Sequence, residues 1–316
     1  MSSKTESNRE TAKKLYEAMG MTDAALRDTD TAHLVINGNM VVGEHLVPGL
    51  EVEPTETQNG VRVTVRVLEG AVIKKPVHMC FGILPEEGLQ EIEMNTIIQK
   101  NSSVSILAHC TFPNAVKVVH KMDASIEIQD GASYTYLERH VHGKKSGITV
   151  LPKARVTLGK HARFATDFEL LSGRVGEINI DYETTCSDFS VLEMNAKING
   201  TGDDRINIRE IGHLQGEGAR GVLTSRIAVR DRARAEVYNK LTASAPFARG
   251  HVDCKEIVQD EGVATAVPIV EVNHPKAHVT HEAAIGSVDD KQLETLMARG
   301  LSEDDAVELI IQGLLS

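Results

Sequence analysis

The chain has 316 residues and no tryptophan, and aromatic residues make up only 3% of it. So few rings leave no stacking platform for single-stranded nucleic acid. A formal net charge of −11 adds repulsion from phosphate backbones. There are four cysteines, Cys80, Cys110, Cys186 and Cys254, and no C-x-x-C pair. That excludes the usual structural zinc spacing and a disulfide-stapled scaffold. No run of 18 apolar residues occurs, so no membrane-spanning helix is expected. Met1 to Glu10 is polar and charged, without the apolar stretch of a signal peptide, so a cytoplasmic location is expected.

Nucleotide and hydrolase signatures are also missing. Gly143-Lys144-Lys145-Ser146 ends like a P-loop, but the first glycine of that motif would fall on Glu138. The chain is therefore not expected to bind or hydrolyse ATP itself. No G-x-S-x-G elbow is present. His281-Glu282 is followed by Ala283-Ala284-Ile285, so the second histidine of H-E-x-x-H is lacking.

What is present is mostly β texture. Asn8 to Met19 reads as a short helix stopped by Gly20. Leu34 to Val42 reads as a hairpin around Asn37-Gly38, and Val61, Val63, Val65 and Val67 alternate with polar residues as in a half-buried strand. From about 70 to 286, β-branched runs such as Ser125–Ile128, Glu177–Ile180 and Arg226–Val229 recur with small residues at the turns. Their starts are roughly 20 to 30 residues apart, as in solenoids. A parallel β-helix is the favoured architecture, because such units bury their apolar positions on one another. An antiparallel sandwich is the rival, disfavoured by the scarcity of two-residue turns. Asp289 to Arg299 and the segment after Ser302 read as two helices, the second carrying Ala306, Leu309, Ile310, Gly313 and Leu314 as an apolar stripe. That stripe either packs on the β body or meets a partner. Three regions are expected: 1–69, a helix and hairpin; 70–286, the β-helix; and 287–316, a helical pair.

Three places could carry chemistry. Cys254, in His251–Glu256, is a soft ligand suited to iron, although a lone cysteine is more often a small core residue. His274, His278, His281 and Glu282 crowd a short segment that Pro275 keeps from being one helix. On a strand, His281 and Glu282 would face opposite sides. Glu138, His140 and His142 share one strand face and could form a metal patch, though a solvated surface is the commoner role for such a group. Cys80, Cys110 and Cys186 lie in or beside apolar runs and read as packing residues.

The C-terminal third resembles a known family. His281-Glu282-Ala283, Gln292-Leu293 and Met297 through Ala306 resemble the closing signature of SufB and SufD proteins. Arg220-Gly221-Val222-Leu223 and the stretch from Val252 to Glu271 resemble two further strands of that family. Thr280 and the Glu294-Thr295 pair depart from its pattern. The resemblance implies a mainly β, right-handed parallel β-helix with helical ends. It implies a non-enzymatic scaffold that holds a transient iron–sulfur cluster, with Cys254, Glu282 and His281 as its ligands. It further implies a dimer, here a homodimer, a sulfur donor, and an ABC-type ATPase (SufC) docked on the helical tail through Leu309, Ile310 and Leu314. A carbohydrate-active β-helix enzyme and a purely structural solenoid are the alternatives.

Overall fold

The computed structural model describes residues 2–145 and 147–316, with side chains from residue 6 onward apart from positions 23, 25 and 146. Ser146, the end of the P-loop-like run, lies outside the described residues. One sheet contains β1 (His33–Asn37), β2 (Met40–His45), β5 (Val77–Gly82), β7 (Ser103–Phe112), β9 (Ser133–His142), β11 (Arg163–Leu170), β13 (Val191–Gly200), β15 (Arg220–Val229), β17 (Arg249–Val258) and β19 (His278–Gly286). The other contains β3 (Leu50–Glu56), β4 (Gly60–Val67), β6 (Glu87–Ile98), β8 (Lys117–Ile128), β10 (Ile148–Leu158), β12 (Glu177–Cys186), β14 (Arg205–Leu214), β16 (Arg234–Ala243) and β18 (Val263–Val272). Each turn of the chain lays one strand on each sheet.

From β4 onward every ladder is parallel, which makes the body a β-solenoid of about 8 turns. Stacked residues are 30 apart at Ser103, Ser133 and Arg163, then 28 or 29 apart through Val191, Arg220, Arg249 and His278. Among the described residues hairpins occur only at the N-terminal end, β1 with β2 and β3 with β4. The first turns at Gly38-Asn39, with Gly38 at φ +61°, one residue later than the Asn-Gly pair suggests.

The sequence dictates this shape through two devices. Alternate residues point inward along each strand, so Ile178, Ile180 and Tyr182 join one apolar core with Val61, Val63 and Val65. At the corners leading into the odd-numbered strands from β7 to β17, one residue per turn takes a left-handed conformation. These are Asn101, Gly131, His161, Phe189, Gly218 and Phe247, with φ between +56° and +69°. They form a column in which the rings of His161 and Phe189 stack at 5.1 Å.

Helices cover the outer face of the odd-numbered sheet. α1 (Ser2–Ala18) places Ala12, Leu15 and Tyr16 against Val35, Val42 and Cys80. α2 (Asp290–Met297) and α3 (Glu303–Leu315) follow β19. α3 seats Ile311 and Leu315 on Ala228 and Ile257, and Glu308 meets Arg230 at 2.8 Å. Among the described residues no helix is long and apolar enough to cross a membrane.

Candidate functional site

β17 is the last strand but one of its sheet, and its inward face carries Val252, Cys254 and Glu256. The Cys254 side chain is buried among polar groups that an apolar solenoid does not need. Asn239 on β16 donates its Nδ2–H to the thiol sulfur at 3.8 Å. Ser225, the register neighbour of Cys254 on β15, donates its hydroxyl to Glu256 Oε1 at 3.3 Å. Glu210 on β14 is buried close enough to act electrostatically on the thiol.

These groups are poorly satisfied. Glu210 Oε2, Glu256 Oε2 and Asn239 Oδ1 are buried without a hydrogen-bond partner. Burial alone lifts the Glu210 carboxyl to about 8, and burial lifts Glu256 to about 7, the latter opposed by Ser225 and Arg226. Burial also raises the Cys254 thiol, with Ser225 pulling the other way and the nearby Glu256 and Glu210 carboxyls adding to the rise. A thiol and two carboxyls are thus held together where burial disfavours the charged form of each.

The histidine-rich segment lies one strand farther out. His274, Pro275 and Lys276 form the turn before β19, so no helix runs through the group. On β19, Ala283 lies beside Cys254 and His281 beside Val252, which puts His281 on the inward side of the sheet. Glu282 lies beside Asp253 on the outward side, 3.8 Å from Lys255 Nζ. A single chain therefore aligns His281 with the thiol face and turns Glu282 away from it. Thr280, where the resembled family has an acidic or small residue, hydrogen-bonds His251 Nδ1 at 2.8 Å. Both β18 and β19 have a free outer edge, and Val263, Val272 and Ile285 there are exposed.

In the tail, α3 packs through Ala306, Val307, Ile311 and Leu315, whereas Leu309 is exposed and Ile310 and Leu314 are half-buried. Met297 on α2 is exposed too.

A second polar group, misjudged by sequence reasoning, lies deep in the N-terminal turns. Glu138, His140 and His142 are buried rather than solvated, and Cys110 sits with them instead of merely filling space. The signal was the strand's own parity: Tyr134 and Tyr136 are core residues, and 138, 140 and 142 continue the same face.

Similarity to known proteins fits this architecture. The family model described as "SUF system FeS cluster assembly, SufBD core domain" matches residues 86–314. A Pyrococcus horikoshii protein named as an iron–sulfur cluster assembly SufBD family protein is 35% identical over 302 residues, 96% of this chain and 92% of that one. A Methanocaldococcus jannaschii protein of the same family name is 34% identical over 282 residues, 89% of each chain. A Staphylococcus aureus relative matches only 72 residues, at 35% identity, covering 22% of this chain and 16% of its own. Taken with the solenoid and its helical ends, these matches show that the chain belongs to the SufBD family of iron–sulfur cluster assembly proteins.

Proposed function

We propose that the chain is a non-catalytic scaffold on which an iron–sulfur cluster is built in the cytoplasm, with Cys254 as the principal thiolate ligand or sulfur acceptor. The observation that carries this reading is the burial of one thiol with two under-satisfied carboxyls, one strand from an open sheet edge. Iron and sulfide are the cargo. Thiolate sulfur suits iron, and a mixed set with carboxylate and imidazole holds a cluster less firmly than four thiolates, which favours release.

Glu282 and His281 are the further ligands in this reading. Because Glu282 faces away from the thiol, its participation requires β19 to shift, or a second copy to supply it across the open edges. A homodimer joined at this end meets that requirement. Opening a covered thiol needs work, and this chain lacks a Walker loop. We assign that work to an ABC-type ATPase, SufC, gripping α2 and α3 through Leu309, Ile310 and Leu314, with sulfur delivered by a separate donor. α3 rests on Ile257, three residues from Cys254 along β17, so a pull on the tail reaches the site directly.

The test is anaerobic reconstitution of wild type and Cys254→Ser with iron and sulfide, followed by visible absorption. Wild type is expected to develop cluster charge-transfer bands and the variant to lose most of them. Equal cluster yield in the two chains overturns the assignment.

A further inference from the structure

We infer that Cys110, His120, Glu138 and His140 form a second, mononuclear site for a borderline-soft divalent cation, ferrous ion or Zn²⁺, enclosed in the N-terminal turns of the solenoid. The site is independent of the cluster reading. β7 and β17 are five strands apart in one sheet, about 24 Å at the usual strand spacing.

The geometry comes first. Cys110 Sγ, a Glu138 carboxylate oxygen and a His140 ring nitrogen all lie within 4.8 Å of one another. His120 Nε2 is 3.6 Å from the same sulfur, Glu138 Oε1 is 3.8 Å from it, and His140 Nε2 is 2.8 Å from Glu138 Oε1. Around a tetrahedral ion, a sulfur and a nitrogen ligand stand about 3.5 Å apart. The His120 and Glu138 contacts to the sulfur already match; the Glu138–His140 contact has to open by about 0.5 Å, and His120, which lies outside the 4.8 Å group formed by the other three, has to turn toward it. Cys110, His120, Glu138 and His140 are each no more than 2% exposed.

The protons give an independent argument. Gln90 points Nε2 at the carbonyl oxygens of Gly38, 2.8 Å, and Gly82, 3.2 Å. Carbonyls only accept, so that end of Gln90 is the NH₂ and its Oε1 is the acceptor for His120 Nδ1–H at 2.9 Å. His120 Nε2 then bears a lone pair aimed at Cys110. At the other side, His142 Nδ1 must donate to the Arg174 carbonyl at 3.1 Å. Its Nε2 therefore accepts from His140 Nδ1–H at 3.1 Å, and His140 Nε2 also presents a lone pair, aimed at Glu138. Both relays end on backbone carbonyls, and both deliver a bare imidazole nitrogen to the same spot.

Without an ion, two protons fill that spot, one on the Cys110 thiol and one on the Glu138 carboxyl. A divalent cation exchanges for these two protons: the S–H and O–H bonds break, metal–sulfur and metal–oxygen bonds form, and two protons leave to solvent. The resulting N₂SO set is neutral overall, which an apolar interior tolerates. The outer atoms of the ligands are already held: Gln90 on His120, His142 on His140, and the Tyr182 hydroxyl donating to Glu138 Oε2 at 3.3 Å. Such support is what metal-binding imidazoles and carboxylates ordinarily have.

The test uses the full chain carrying Cys254→Ser, which removes the other thiol site. Load it anaerobically with Zn²⁺, Fe²⁺ or Co²⁺, desalt, and measure metal per chain and the Co²⁺ spectrum. One ion per chain is expected, with a thiolate-to-cobalt charge-transfer band and tetrahedral d–d intensity; Cys110→Ala should abolish that band. Glu138→Gln guards against misfolding, because its amide can still donate to His140 Nε2. It should keep the metal-free melting temperature at about pH 6, where the wild-type acid is protonated, weaken binding at least about tenfold and release fewer protons per ion. Absence of bound metal in the Cys254→Ser chain, a band that survives Cys110→Ala, or full-affinity binding by Glu138→Gln each overturns the site.

Discussion

Position 210 places a carboxylic acid in the core with one oxygen unpartnered and its pKa pushed to about 8. The folded chain therefore keeps a proton there that the unfolded chain, titrating near 4.5, has lost. In that interval the acid lowers stability as pH rises. Glu210→Gln removes the titration, so its melting temperature should gain on wild type between about pH 5 and pH 8. Parallel melting curves across that range count against a buried neutral acid. Glu282 differs, being exposed with one Lys255 contact at 3.8 Å. Exposed pairs contribute about 0–1 kcal/mol, so Glu282→Ala should melt within a few degrees of wild type. If the cluster reading holds, the same variant fails to mature iron–sulfur proteins in cells. A large loss of stability would instead make Glu282 a structural anchor.

Among the elements, α3 shows where sequence reasoning stops. Its apolar residues, Val307, Leu309, Ile310, Ile311, Leu314 and Leu315, spread over about two-thirds of the circumference. A helix apolar on more than one side fixes no phase by periodicity. Reading the stripe through Ala306, Leu309, Ile310, Gly313 and Leu314 captures the buried Ala306 but otherwise gives a face rotated from the one that docks on the sheet, which runs through Val307, Ile311 and Leu315. The strands were far more legible, because the parity of Val61 to Val67 is unambiguous once one face is buried. The polar interior at 138, 140 and 142 was not, since alternation normally sends such residues outward. Two substitutions separate packing from docking on α3. Ile311→Ala should cost about 2–4 kcal/mol, measured by denaturant unfolding, because it empties a buried site. Leu309→Ser should leave stability within about 0.5 kcal/mol and, if the proposed ATPase docks on this face, weaken its capture in size exclusion. Undiminished capture by Leu309→Ser places the partner elsewhere.

For the molecule as a whole, burial of opposite kinds of titratable group gives stability a characteristic pH profile. Burial drops His120 and His140 to about 3, so they cost stability only at acid pH, where the unfolded imidazoles are charged. That contribution is complete above about pH 6.5. Glu138 and Glu256, near 7, and Glu210, near 8, still hold protons there that the unfolded chain lacks. Wild type should therefore lose melting temperature as pH rises from about 6.5 to 8, and a Glu138→Gln, Glu210→Gln double variant should lose less. A flat profile in wild type would mean that these acids ionise in the folded state without penalty.

The column of left-handed corners has a consequence for how such a chain can change length over generations. Asn101, Gly131, His161, Phe189, Gly218 and Phe247 must stay stacked, since each turn rests only on the turns above and below it. Gain or loss of a single residue within a strand breaks that stack and turns the later side chains of the strand to the opposite face. A whole coil, duplicated or excised as a unit, leaves every other coil seated as before. Inheritance in this architecture is consequently quantised: lineages lengthen or shorten the rod by complete windings, and tinker residue by residue at its two ends.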